Sequence, residues 1–240
     1  MKAIETKKIT KVYGDLTAVD NLDLVVEELE IFSLLGVNGA GKTTTIKMLT
    51  CLLEPTNGEA YVLGNNVVSE SDKVKNVIGV SPQETAIAPN LTVEENLEFI
   101  AELYGIKNVK EKVEEIIKDF SLQKNLKKRA SKLSGGYMRR LSIAMALIGE
   151  PKVLFLDEPT LGLDVLARKE LWDIITKLKS KMTIILTTHY MEEAEKLSDH
   201  IGIMADGKLL CQGTKEEIYK NGQSDNLEDA FVNIVSKVRA

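Results

Sequence analysis

The sequence predicts an α/β protein with a mainly parallel sheet, and three observations carry that expectation. The apolar run Ile31-Phe32-Ser33-Leu34-Leu35 leads through a glycine-rich loop into the helix-like Thr45-Ile46-Lys47-Met48-Leu49. Two further apolar runs, Val153-Leu154-Phe155-Leu156 and Thr183-Ile184-Ile185-Leu186, end at Asp157-Glu158-Pro159 and just before His189. Short continuous apolar runs of this kind belong to strands buried on both faces of a parallel sheet. Between the first run and the second, from Thr92 to about Gly149, the chain turns helical, so helices are inserted into the sheet's connectivity.

Taken in order, Ala3 to Tyr13 and Ala18 to Val26 are strand-like, with Gly14-Asp15 turning between them. Tyr13 stands at a strand end, where its ring is either an ordinary packing residue or a platform for a nucleobase. Glu27-Glu28-Leu29-Glu30 is a tight polar connection into the apolar run. Gly36-Val37-Asn38-Gly39-Ala40-Gly41-Lys42-Thr43-Thr44 then carries the pattern G-x-x-x-x-G-K-T between a strand and a helix, the setting in which it cradles phosphate. Gly36, Gly39 and Gly41 can take backbone angles closed to other residues, so successive amides turn inward around an anion. Lys42 adds a mobile positive charge, the new helix points the positive end of its dipole at the same anion, and Thr43 offers a hydroxyl to Mg²⁺.

Pro55-Thr56-Asn57-Gly58 reads as a turn, and Glu59 to Leu63 and Lys75 to Val80 as short strands. Gln83, just past the second of these, is either an ordinary solvated loop residue or one that reaches a metal or a water in a neighbouring phosphate site. Thr92-Val93-Glu94-Glu95 is a capping box, and Val93, Leu97, Ile100, Ala101 and Tyr104 recur at helical spacing, as do Val113, Ile116, Ile117 and Phe120. Ser134-Gly135-Gly136 precedes another helical run. It reads as a capping hydroxyl with two residues that let backbone approach a ligand, or as a plain helix cap.

Asp157 and Glu158 follow a buried strand. Neighbouring strand residues point to opposite faces, so the pair shares one site only if the strand ends between them, which Pro159 favours. One carboxylate near a metal and one base for water suits such a pair. His189, at another strand end, can donate to a terminal phosphate; His200 reads as a surface or packing residue and Trp172 as core. Asp206-Gly207 joins two short strands as a hairpin, and a helical tail containing Leu227, Ala230 and Phe231 closes the chain.

Composition narrows the function. At 240 residues the chain can bury a large core, and a formal net charge of −5 offers no overall positive field for a nucleic-acid backbone, so nucleic acid is not the expected partner. No run approaches the roughly 18 apolar residues of a membrane span, and the start lacks the apolar stretch of a signal peptide; a cytoplasmic chain is expected. Cys51 and Cys211 stand far apart without a metal-binding spacing and read as reduced thiols.

Together these residues resemble the nucleotide-binding subunit of an ABC transporter over nearly the whole chain. Gly36 to Thr44 matches the Walker A loop, Gln83 the Q-loop, Leu133 to Tyr137 the signature motif, and Val153 to Glu158 the Walker B strand. Leu161 to Asp164 matches the D-loop, His189 the switch histidine and Tyr13 the aromatic A-loop position. The resemblance implies a RecA-like P-loop NTPase core with a mainly parallel sheet, an N-terminal antiparallel β subdomain and an inserted α-helical subdomain. Its expected extents within one domain of 240 residues are 1–83 for the β subdomain and phosphate loop, 84–149 for the helices, 150–213 for the rest of the core and 214–240 for the tail.

The resemblance further implies an ATPase that uses ATP and Mg²⁺. Thr43, Gln83 and Asp157 would serve the metal, Glu158 would polarise the attacking water, and His189 would contact the γ-phosphate. Lys42 and the loop would hold ATP, covered by Ser134, Gly135 and Gly136 of a second such domain bound head to tail. A separate transmembrane permease would complete the machine on the cytoplasmic face of the membrane. The ending Leu227-Glu228-Asp229-Ala230-Phe231 is most similar to ATPases of ABC-2 type exporters.

Three positions depart from the family pattern: Tyr137 stands where Gln is common, Val37 where Pro is common, and Leu29 where a turn usually has Gly. Two other function classes compete. A nucleotide-gated clamp on a soluble assembly should carry two such modules or a basic arm; a phosphate-loop kinase leaves Leu133 to Gly136 unexplained.

Overall fold

The computed structural model describes residues 1–239. The chain opens with β1 (Lys2–Tyr13), β2 (Leu16–Leu22), β3 (Val25–Glu27), β4 (Ile31–Leu35), α1 (Lys42–Leu49), β5 (Asn57–Val62), β6 (Asn65–Asn66), α2 (Ser71–Lys75) and β7 (Ile78–Ser81). Three helices follow, α3 (Val93–Leu103), α4 (Val109–Asp119) and α5 (Gly135–Leu147). Next come β8 (Val153–Asp157), α6 (Val165–Leu178), β9 (Thr183–Thr188), α7 (Met191–Leu197), β10 (His200–Ala205), β11 (Lys208–Gly213), α8 (Lys215–Gly222) and α9 (Leu227–Arg239).

Two sheets result. The larger runs β11-β10-β4-β9-β8-β7, parallel from β10 to β7 with β11 antiparallel at one edge. The smaller is antiparallel, β2-β1-β5-β6 with β3 also on β1. Strands β4, β8 and β9 are buried at every position, as their continuous apolar composition demands. Their alternation sorts the core into two layers. Ile31, Leu154, Leu156, Ile184 and Leu186 join the cluster formed with α3, α4, α5 and α6. Phe32, Leu34, Val153, Phe155 and Ile185 pack with α1 and the antiparallel sheet. A third cluster, from Ile201 and Ile203 to Phe231 and Ile234, holds the last two helices.

The expected α/β class, the antiparallel N-terminal strands and the inserted helices are all present, with local differences. The stretch expected as one strand from Ala18 to Val26 is β2 and β3, separated at Asp23-Leu24, because Thr6 interrupts the pairing: its hydroxyl donates to Leu22 O and accepts from Leu24 N, both at 2.8 Å. β5 begins at Asn57, inside the expected turn. The stretch from Lys75 to Val80 is the end of α2 and most of β7. Helix α3 has the full capping box, with Glu95 N donating to Thr92 Oγ1 at 3.2 Å and Thr92 N to Glu95 Oε2 at 2.7 Å. A cap of this kind stabilises a helix by about 1 kcal/mol.

Candidate active site

Register brings the site together. Leu35 pairs with Thr188, Asp157 with Thr187 and Ser81 with Leu156, so four neighbouring parallel strands end at one level. The residues just beyond them, Gly36, His189, Glu158 and Pro82-Gln83, therefore arrive at one place, the carboxyl edge where open α/β sheets hold ligands. A cleft of about 770 Å³ opens there. It is lined by Asn38 to Thr44, by Gln83, Glu158, Leu161 and His189, and by Tyr13, Leu16, Thr17, Ala18, Asp206 and Gly207.

The loop owes its shape to glycines acting in two ways. Gly39 and Gly41 have φ of +82° and +102°, where L side chains rarely go, and Gly41 is the residue from which α1 starts. Gly36 is not in that region. It is held to glycine by space instead, since a Cβ there would lie 2.3 Å from the Met204 carbonyl oxygen.

Lys42 is buried, and its Nζ donates to Gly36 O at 2.8 Å and to Val37 O at 3.2 Å, which ties Gly36 and Val37 to the site from below. The same Nζ pairs with Glu158 Oε1 at 3.2 Å, and His189 Nδ1 meets Glu158 Oε2 at 2.7 Å. Glu158 can face this cleft because β8 ends at Asp157 and the next residue has φ +48°. Behind it, Thr43 Oγ1 donates to Asp157 Oδ1 at 3.2 Å. Thr43 and Asp157, with Gln83 on the rim, offer hard oxygen donors of the kind Mg²⁺ prefers. Among the described residues no group of three or more His, Cys, Asp or Glu is placed to hold a metal ion.

Ser134, Gly135 and Gly136 line no part of this cleft. Ser134 sits at the N-cap position of α5 yet its hydroxyl accepts no capping bond, contrary to the expected cap, and it is exposed. Gly136 has a packing reason as well: a Cβ there would lie 3.0 Å from Ala167 Cβ, so the missing side chain lets α5 close on α6. Tyr137 is half-buried against the helical cluster, with the Arg140 guanidinium 5.1 Å from its ring.

Sequence reading passed over three residues that surround the site. Thr187 Oγ1 donates to Asp157 Oδ1 and accepts from Glu158 N at 3.0 Å, fixing both acids. Arg139 donates to carbonyls at the ends of β7 and β8. Glu193, fully buried, accepts from Trp172 Nε1 at 3.0 Å; burial pushes its carboxyl pKa up, opposed by hydrogen bonding from Thr188, Trp172 and Thr160. The available signal was a polar residue in an apolar strand or an arginine on a buried helix face, and only tertiary register shows what each meets.

A family model described as ABC transporter matches residues 19–161. The chain is 40% identical over 240 residues to the probable multidrug ABC transporter ATP-binding protein YbhF of Escherichia coli K12, covering 97% of this chain and 41% of that protein. It is 44% identical over 217 residues to human phospholipid-transporting ATPase ABCA3, covering 88% of this chain and 13% of that one. The chain thus spans well under half the length of these relatives. A solved structure described as the ATP-binding subunit of an ABC transporter superposes with a TM-score of 0.86 at 28% identity, over 97% of this chain and 99% of that one. The dimeric cassette MJ0796 in a post-hydrolysis state bound to ADP and Pi superposes at 0.80 with 26% identity, over 88% and 98%. With its phosphate loop, paired carboxylates and strand-end histidine gathered at one sheet edge, the chain belongs to the ABC transporter family, as one of its ATPase domains.

Proposed function

We propose that the chain is the motor of an exporter, hydrolysing ATP in a sandwich with a second ABC ATPase domain and driving a separate membrane permease from the cytoplasmic face. The observation that supports hydrolysis most is the arrangement of Lys42, Thr43, Asp157, Glu158 and His189 around one cleft. In this reading Lys42, the amides from Gly39 to Thr44 and the start of α1 hold the phosphates. Tyr13, which also lines the cleft and is half-exposed, stacks on the base.

Thr43, Asp157 and Gln83 hold the metal, with Thr187 orienting the Asp157 carboxylate. Mg²⁺, when bound, neutralises charge on the β- and γ-phosphate oxygens. Glu158 accepts a proton from the attacking water as it adds to the γ-phosphorus, the bond from that phosphorus to the β–γ bridging oxygen breaks with its electron pair leaving on ADP, and His189 orients the Glu158 carboxylate and contacts the γ-phosphate. Because Ser134 to Gly136 line no part of this cleft, the reading assigns them to the nucleotide of a second domain, either another copy of this chain or a different ABC ATPase.

A groove of about 360 Å³ between core and helices, lined among others by Leu52, Pro82, Ala86, Ile100 and Tyr104, suits a helix of the permease. Pro82 adjoins Gln83, which links that groove to the cleft. Among the described residues no helix is long and apolar enough to cross a membrane, and the reading assigns the crossing to the permease. The transport role is supported by relatives named for multidrug and phospholipid transport, and the export direction by the likeness of the Leu227–Phe231 segment to ABC-2 type exporter ATPases.

The test is Glu158→Gln. Phosphate release should fall by about 10²–10⁴-fold, the range of a general base, while the Kd for a fluorescent ATP analogue stays within about threefold of the parent. Parental phosphate release would remove Glu158 from the mechanism.

A further inference from the structure

Arg139 lies in α5 just after Ser134-Gly135-Gly136 and is 4% exposed. Its Nε donates to Pro159 O at 2.9 Å and its Nη2 to Asp157 O at 2.5 Å, the carbonyls on either side of Glu158. Its Nη1 donates to Pro82 O at 2.5 Å and more weakly to Gln83 O at 3.4 Å. One guanidinium thus joins two segments: the exit of β8, which carries Glu158, and the exit of β7, which carries Gln83.

Several features make this more than packing. The β7–β8 pairing ends at Ser81 and Leu156, and the Pro82 and Asp157 carbonyls just past that last pair converge on the same side chain. Glu158 holds φ +48°, a conformation a glutamate rarely adopts unless its surroundings impose it. Arg139 has no carboxylate in hydrogen-bond contact; Asp157, Glu193 and Glu158 act on it only through their field, while burial draws its pKa down to about 10, so it is still a cation at neutral pH. A buried cation matched only by carbonyls is costly if its task is to fill space, which an apolar side chain of similar bulk would do. What a planar fork of N–H groups adds is simultaneous, directional attachment to two strand exits.

We infer that Arg139 is a positioning residue: it sets the turn that aims Glu158, locks that turn to the Gln83 segment, and makes both follow α5. This rests on the proposed roles of Glu158 and Gln83 in hydrolysis. Since α5 begins at the residues assigned to the partner's nucleotide, Arg139 also ties the turn that carries Glu158 to that helix. Lys42 and Tyr13 are not among its hydrogen-bond partners, so the proposal places its effect on kcat rather than on the affinity for the ATP analogue.

The experiment compares Arg139→Met, which keeps the bulk and removes every donor, with Arg139→Gln, which keeps donors but can reach one segment only. Each is measured for melting temperature, ATP-analogue Kd and steady-state phosphate release, alone and combined with Glu158→Gln. In folded protein we expect kcat to fall about 10–100-fold for Met and less for Gln, with Kd and KM within about threefold. On the Glu158→Gln background Arg139→Met should cost less than threefold further, because its effect passes through Glu158. Should Met fail to fold, Gln decides alone. A folded variant with parental kcat, a loss carried by Kd rather than kcat, or full additivity with Glu158→Gln would overturn the assignment. If instead Glu158→Gln itself turns over like the parent, the hydrolytic reading fails first, and the two failures are told apart.

Discussion

Glu158 and Asp157 are adjacent in sequence and serve one site only because the backbone leaves the strand between them. Asp157 is the last residue of β8 and Glu158 the first outside it, at φ +48°. That much was readable from Pro159. The partners that hold the acids in place, Thr187 and Arg139, were not, because they come from another strand and from a helix whose register with β8 no local pattern reveals. Tyr13 supplies a residue-scale test. Tyr13→Ala should weaken ATP binding by about 1–3 kcal/mol, whereas Tyr13→Phe should bind like the parent, since a stacking platform needs the ring and not the hydroxyl. Titration with a fluorescent ATP analogue distinguishes them, and equal loss in both would place the hydroxyl in the contact.

Glu193 supplies another. Burial raises its carboxyl pKa above the ordinary 4.5, so the folded state binds the proton more tightly than the unfolded chain. Its contribution is most favourable below pH 4.5 and is lost as pH climbs through the window above it. Glu193→Gln keeps an oxygen for Trp172 Nε1 and removes that dependence. Its melting temperature should therefore exceed the parent's at pH 7 and converge with it toward pH 4.5. A difference that does not change with pH would mean that Glu193 is not the titrating group.

At the scale of elements, the strands and helices with strong patterns were legible and the interruptions were not. β4, β8 and β9 announce themselves as apolar runs and α3 by its capping box, whereas the cap of α6 emerges only in the fold, where Asp164 accepts from Leu166 N and Ala167 N, both at 2.9 Å. Thr6 divides β2 from β3 through two hydrogen bonds to a distant strand, which no local propensity encodes. The turn before β4 was suspected from Leu29 alone, and Leu29 indeed has φ +61° while remaining exposed. A leucine in the left-handed region costs about 1–2 kcal/mol. Leu29→Gly should therefore melt at the same temperature as the parent or higher, part of the relief being offset by the freer unfolded chain. A clear drop on thermal denaturation would mean that the exposed side chain has a stabilising contact.

For the whole molecule, the phosphate loop, carboxylates and switch histidine gather on one face because four parallel strands end together, whereas Ser134 to Gly136 stand elsewhere. One chain is therefore half of two sites. The order of motifs conveyed the composition of those sites, but the separation between them depends on how α5 packs over the sheet, through Gly136 against α6 and Arg139 against the exits of β7 and β8. In the proposed function bound nucleotide supplies negative charge to both helix starts, which would couple closure to ATP and release to hydrolysis. The most direct test is the molar mass in solution of Glu158→Gln, by light scattering, with and without MgATP. The account predicts 26.6 kDa without nucleotide and a doubling with it. A mass that stays at 26.6 kDa while ATP is demonstrably bound would contradict the closing of two copies around their nucleotides.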